Sequence, residues 1–236
     1  MIIPMAGQNG QPKTCDASCR SLPFSHIHDV ISSAVFTCEY VRPVNPDEVL
    51  DRMTEEEYEK DKFLPYWAEI WPSCQAMFAF LSSDKLPAFS DSATACEIGC
   101  GLGVVSALLH DRRLHVVACD IAFDGCRYAA RNLRVSRRAP PPVVCCDWRD
   151  SPLKTRFDMI VASDVLYEQR WVLPVLNFLK ATLSPGGIAY IADPCRHWWR
   201  EFRETAARQG FAVATVWRQA PAEGKTIVEI ARLTPP

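Results

Sequence analysis

The chain lacks the long apolar run that a membrane span needs. Nowhere in its 236 residues do roughly 18 apolar side chains follow one another, so no membrane partner is expected. Met1 to Gly7 contain no basic region leading into an apolar one, so no secretory signal is read there. An excess of positive charge is also absent. The net charge of -2 argues against nucleic acid as the main partner, and Arg131, Arg134, Arg137 and Arg138 read as one solvated helix face. Histidine is scarce, at 5 residues. Cys15 and Cys19 followed by His26 and His28 match no compact zinc-finger spacing, so no metal is expected. No internal repeat is visible, and no pattern specifies an oligomeric state.

Cysteine, by contrast, is abundant. The 11 cysteines are an odd number scattered through strand-like and helix-like stretches, with Cys96, Cys100, Cys119, Cys145 and Cys146 among them. That distribution reads as buried free thiols in a reducing cytosol, not as a disulfide framework. With 48% hydrophobic and 23% charged residues the chain can bury a full core. Its length suits one large domain with a modest appendage, divided here as an extension over 1–62 and a main domain over 63–236.

Residues 1 to about 25 are polar and read as a loose lead-in. A strand is expected over 34–41, stopped by Pro43 and Pro46, and a short acidic helix or linker over 51–62. From Leu64 to Leu81 aromatics crowd together, and from Pro72 onward Met77, Phe78 and Leu81 keep helical spacing. Lys85 to Ser92 reads as a loop. After residue 93, strands at 94–98, 114–119, 142–146, 158–163 and 187–192 alternate with helices at 104–110, 122–135 and 169–183. A helix at 197–209 and two strands at 211–217 and 225–232 follow, joined by a link short enough for a hairpin. The pattern predicts an α/β fold with a mostly parallel sheet, helices on both faces and an antiparallel last strand.

Glu97-Ile-Gly-Cys-Gly-Leu-Gly103 ends the first of these strands and opens a helix. Gly99, Gly101 and Gly103 form G-x-G-x-G; the dinucleotide fingerprint needs a glycine at 104, where Val104 stands. Glu97, Asp120 and Asp147 close three successive strands, at the end of the sheet where ligands of open α/β folds bind. A carboxylate after a strand is often a helix cap, and Asp120 alone reads equally as one. Together the three oppose a pyrophosphate and suit a ligand that offers hydroxyls and an amine. Asp120, followed by Ile121, is placed to accept from ribose hydroxyls. Asp147 is placed to accept from an exocyclic amine, with Trp148 as an aromatic wall.

These motifs resemble the class I S-adenosylmethionine-dependent methyltransferases, Rossmann-like enzymes with a seven-stranded sheet. The resemblance implies S-adenosyl-L-methionine as cofactor and assigns Glu97 to Gly103, Asp120 and Asp147 to its binding. Pro65-Tyr-Trp-Ala-Glu-Ile-Trp-Pro72 and Ser163-Asp-Val-Leu-Tyr167 narrow it. They are similar to the entry helix and the D-x-x-Y motif of the seven-β-strand protein-lysine methyltransferases (methyltransferase family 16). Asp193-Pro-Cys-Arg196 resembles the D-P-G-R of the electron-transfer-flavoprotein β-subunit lysine methyltransferases, with Cys195 where glycine would stand.

The resemblance implies roles for Asp164 and Tyr167 in catalysis, with Asp164 accepting from the substrate amine or from the cofactor's own amino group, and for Trp71 and Ser163 beside the cofactor. It also implies a protein substrate carrying the acceptor lysine. Trp67 and Trp71 read equally as core packing, and Arg196 as a helix cap or a partner of Asp193. A small-amine N-methyltransferase and a non-catalytic cofactor-binding protein share the same cofactor motifs.

Overall fold

The computed structural model describes residues 2–3, 22–56, 58, 64–135, 139–219 and 226–236. Cys15, Cys19 and most of the expected lead-in lie outside these, as do residues 57 and 59–62 of the expected acidic helix and the link at 220–225. The strands are β1 (Ile2–Ile3), β2 (His26–Ser32), β3 (Thr37–Pro43), β4 (Thr94–Ile98) and β5 (His115–Asp120). They continue with β6 (Val143–Cys145), β7 (Phe157–Ser163), β8 (Leu183–Asp193), β9 (Ala212–Gln219) and β10 (Val228–Thr234). The helices are α1 (Pro46–Asp51), α2 (Pro72–Leu81), α3 (Val104–Asp111), α4 (Phe123–Asn132), α5 (Val172–Thr182) and α6 (His197–Arg208).

The main sheet runs in the order β1-β6-β5-β4-β7-β8-β10-β9. Strands β6, β5, β4, β7 and β8 are parallel, and β10 is antiparallel to both of its neighbours. This is the expected seven-stranded Rossmann-like sheet, with β1 added beside β6. Side-chain alternation sorts the strands' residues onto two faces. Ala95, Met159, Val161 and Tyr190 pack with Met77, Phe78, Val105 and Leu108 of α2 and α3. Cys96, Ile98, Ile160 and Ile191 pack with Val175, Leu176 and Leu179 of α5 and with Trp199 and Phe202 of α6. Helices therefore cover both faces, and the ends of β4, β5 and β7 open between them.

The N-terminal region departs from the expectation of a single strand over 34–41. It forms a hairpin of β2 and β3, paired from His26↔Pro43 to Ser32↔Thr37. Pro46 starts α1 instead of only ending a strand, and the Asn45 side chain caps it by accepting from Asp47 N at 3.0 Å. The hairpin is tied to the main sheet's helices through Asn132. Its amide accepts from Val41 N at 2.8 Å and donates to the carbonyls of Val41 and Leu102 at 3.0 and 2.8 Å. Tyr128 also donates to Phe24 O at 3.3 Å. Nine free cysteines are described, eight of them buried or half-buried, and Cys195 is exposed.

Candidate active site

A cavity of about 370 Å³ opens at the carboxyl ends of β4, β5 and β7. Gly99 and Gly101 line it with bare backbone, and Gly101 stands at φ +49°, a conformation that favours glycine. A Cβ there would lie 3.3 Å from the Trp67 carbonyl oxygen, so the aromatic run before α2 crosses closely over the turn. Gly103 does not line the cavity. It begins α3 at φ +77°, and a Cβ would lie 3.1 Å from Ala129 Cβ, so its place is set by the close approach of α3 to α4.

The three acidic strand ends meet different fates. Asp120 is buried, lines the cavity and accepts from Gly101 N at 2.8 Å on one oxygen and from Ala122 N at 2.9 Å on the other. A carboxylate has about four lone-pair sites, so both oxygens keep accepting capacity toward the cavity. Burial pushes the Asp120 carboxyl above its ordinary value. Glu97 is buried and accepts from Ser106 N at 2.8 Å and Ser106 Oγ at 2.5 Å, which binds it to the first turn of α3. Its burial raises the carboxyl to about 8 despite those hydrogen bonds. Asp147 is absent from the lining. It caps the turn at Trp148 by accepting from Arg149 N at 2.8 Å, and its carboxylate pairs with the Arg149 guanidinium at 2.5 Å.

At the other end of the cavity Asp164 follows β7 at φ +62°. Its backbone N–H donates to Ala192 O at 3.0 Å, which ties it to β8. One carboxylate oxygen pairs with the Arg196 guanidinium, and the other accepts from Ser73 N at 3.3 Å. Helix α2 begins at Trp71-Pro72 with no side-chain cap of its own, so Asp164 supplies the acceptor from a distant strand. Arg196 is held in turn by Asp193, which accepts from Arg196 N at 2.7 Å and lies 3.6 Å from its guanidinium. Burial lifts the Asp193 carboxyl to about 6. Between them Cys195 takes φ +56°, the conformation for which a glycine at this position is suited.

Aromatic rings form one wall. Tyr66 stands edge-on to Trp71 at 5.7 Å and to Tyr167 at 5.3 Å, and Tyr167 meets Trp171 at 5.7 Å. Trp71 Nε1 donates to Tyr66 O at 2.8 Å, which fixes the indole. Tyr66 is 39% exposed and Glu69 is exposed, so this end of the cavity reaches the surface.

The model of a family described as a methyltransferase domain matches residues 69–226. The chain belongs to the methyltransferase domain family. This methyltransferase is 30% identical over 137 residues to the electron transfer flavoprotein beta subunit lysine methyltransferase of Danio rerio. That match covers 56% of this chain and about half, 51%, of the relative. Among solved structures it is similar to the N-methyltransferase NodS from Bradyrhizobium japonicum in complex with S-adenosyl-L-homocysteine. The TM-score is 0.58 at 17% identity, over 81% of this chain and 99% of that one. A TehB-like SAM-dependent methyltransferase from Corynebacterium glutamicum gives 0.54 at 20% identity, over 81% and 98%. At these identities the likeness is one of fold.

Of the residues read from the sequence, Trp71, Glu97, Gly99, Gly101, Asp120, Ile121, Trp148, Ser163, Asp164 and Tyr167 line the cavity. Gly103 and Asp147 do not. Tyr66, Glu69, Ile70, Cys74 and Leu102 line it without having been singled out in the sequence. Tyr66 and Glu69 stood in plain view in the aromatic run, but nothing in their spacing distinguishes them from core packing. Trp67 also borders the cavity, though its ring packs on Tyr128 at 5.3 Å and on Gly125. Among the described residues, no group of three or more His, Cys, Asp or Glu side chains is placed to hold a metal ion.

Proposed function

We propose that the chain is an S-adenosylmethionine-dependent N-methyltransferase acting on the ε-amine of a lysine in a protein substrate. The cofactor's site is supported by the bare backbone of Gly99 and Gly101 beside the unspent acceptor capacity of Asp120. Those three residues would hold the cofactor, with Ile121 and Trp148 as apolar walls. When bound, it supplies a methyl group on a sulfonium for in-line displacement.

The chain's own task is to bring a neutral amine into line and to exclude water. A free lysine titrates near about 10.4, so its neutral form has to be selected. A half-buried, aromatic pocket disfavours the ammonium form. Asp164 is fixed by Ser73 N and Arg196, and so offers a positioned acceptor for an amine proton. A π face of Tyr66, Trp71 or Tyr167 would attract a methylated ammonium by roughly 0.5–2 kcal/mol.

The observation that carries this reading is the position of Asp164 beside that aromatic wall, where the cavity reaches the surface. A side chain projecting from a folded protein can enter there. The buried free thiols support residence in a reducing compartment such as the cytosol.

Purified protein incubated with methyl-labelled S-adenosylmethionine and fractionated cell extract tests the proposal. Label in a polypeptide band supports it, and label confined to small molecules replaces it with a small-amine acceptor. Cofactor binding without any transfer makes the chain a binding protein.

A further inference from the structure

Among the described residues lining the cavity, Arg196 is the one cation. The remaining Asp, Glu, Lys and Arg side chains of the lining, Glu69, Glu97, Asp120 and Asp164, are all carboxylic. Arg196 is also the residue that occupies the acceptor end. Its guanidinium pairs with Asp164 and stands 3.6 Å from the fully buried Asp193, while a third of the side chain stays exposed to the cavity and solvent. The backbone N–H of Arg196 donates to Asp193, so the arginine is anchored at its base and charged at its tip.

A pocket with an unpaired Asp164 would bind an alkylammonium ion well, and binding it well would stabilise the wrong protonation state. An opposite charge close by favours the charged form of an amine. The ammonium ion has no lone pair and cannot attack a methyl group.

We propose that Arg196 is a specificity-determining residue that neutralises Asp164, so that the acceptor end receives the amine in its neutral form and does not trap it as the ammonium ion. This rests on the amine-methyltransferase reading above. In it Asp164 keeps a lone pair for an N–H hydrogen bond while the guanidinium that it shares with Asp193 offsets its charge. Cys195 at φ +56° turns the chain so that Arg196 points back toward β7, which links the D-P-C-R sequence to the charge balance of the site. The other groups beside the pair are Asp193, whose carboxylate shares the Arg196 guanidinium at 3.6 Å, and Cys74 on α2, uncharged at neutral pH; Tyr167 and Glu69 line the same cavity.

NMR titration of the full chain with butylammonium chloride at pH 7, with and without S-adenosylhomocysteine, tests this. Butylammonium has the alkyl chain and charge of a lysine side chain. The native chain should bind it weakly, Arg196→Met about tenfold more tightly, and Arg196→Lys close to native. Adding Asp164→Asn to Arg196→Met should abolish the gain. Where Arg196→Met melts well below the native chain, Arg196→Gln carries the same expectation.

Equal or weaker binding by the uncharged variants overturns the proposal, and so does a gain that survives Asp164→Asn. Failure of the cofactor reading appears separately, as absence of S-adenosylhomocysteine binding by the native chain, because the amine titration without it still reports on Arg196.

Discussion

The backbone N–H of Gly101 donates to Asp120 Oδ2 at 2.8 Å, so the tip of the glycine turn is tied to the end of the neighbouring strand. One carboxylate thus shapes the floor of the cavity and also faces into it. Asp120→Ala removes the acceptor of two backbone N–H groups, and hydrogen bonds to charged groups are worth about 1.5–3 kcal/mol each. Because the variant also no longer desolvates a buried carboxylate, the net loss should be smaller than their sum, roughly 2–3 kcal/mol, and S-adenosylhomocysteine should bind at least about tenfold more weakly. Urea unfolding and calorimetry measure the two effects.

Glu97 gives the fold a pH dependence of definite sign. Its folded carboxyl titrates near 8, above the ordinary glutamate value, because burial outweighs the bonds from Ser106. A raised carboxyl binds its proton more tightly in the folded state, so its stabilisation is complete below the unfolded value and is lost as pH rises toward 8. Asp193, lifted to about 6, acts in the same direction at lower pH. The melting temperature of the native chain should therefore fall between pH 6 and about 8.5, and Glu97→Gln should flatten that fall. A native curve parallel to that of Glu97→Gln would remove Glu97 as the cause.

Cys195 holds a left-handed backbone with a side chain that does not require it. Cys195→Gly should be tolerated within about 1 kcal/mol, since relief of strain offsets the added freedom of the unfolded chain. Cys195→Val places a β-branched residue at φ +56° and should cost about 1–3 kcal/mol. Thermal melts of the two variants give the comparison.

Tyr167 contributes its ring to the aromatic wall of the cavity, with Tyr66 at 5.3 Å and Trp171 at 5.7 Å. Tyr167→Phe keeps the ring and should retain most methyl transfer. Tyr167→Ala should reduce kcat/KM by about 3- to 30-fold, the range of one cation–π contact. Equal loss in both variants would move the role from the ring to the hydroxyl.

The succession of strands and helices was legible because short apolar strands and longer amphipathic helices alternate without interruption after residue 93. The glycine turn was legible for the same local reason, since strand, turn and helix are contiguous. Strand β2 was not, because His26 to Ser32 alternate between exposed and half-exposed positions and carry no apolar stripe. Asp147 looked like its neighbours Glu97 and Asp120 in sequence, yet Arg149 two residues later takes its carboxylate. The pairing of Asp164 with Arg196 spans 32 residues and depends on β7 and β8 lying side by side. Its cap on α2 spans 91 residues, and no spacing rule reaches that far.

Mass spectrometry of polypeptides incubated with S-adenosylmethionine and either the native chain or Asp164→Ala tests the central claim most directly. The account predicts methyl groups on lysine ε-nitrogens with the native chain, and none with Asp164→Ala although that variant still binds S-adenosylhomocysteine. Methylation of another atom type, or lysine methylation undiminished in Asp164→Ala, would contradict it.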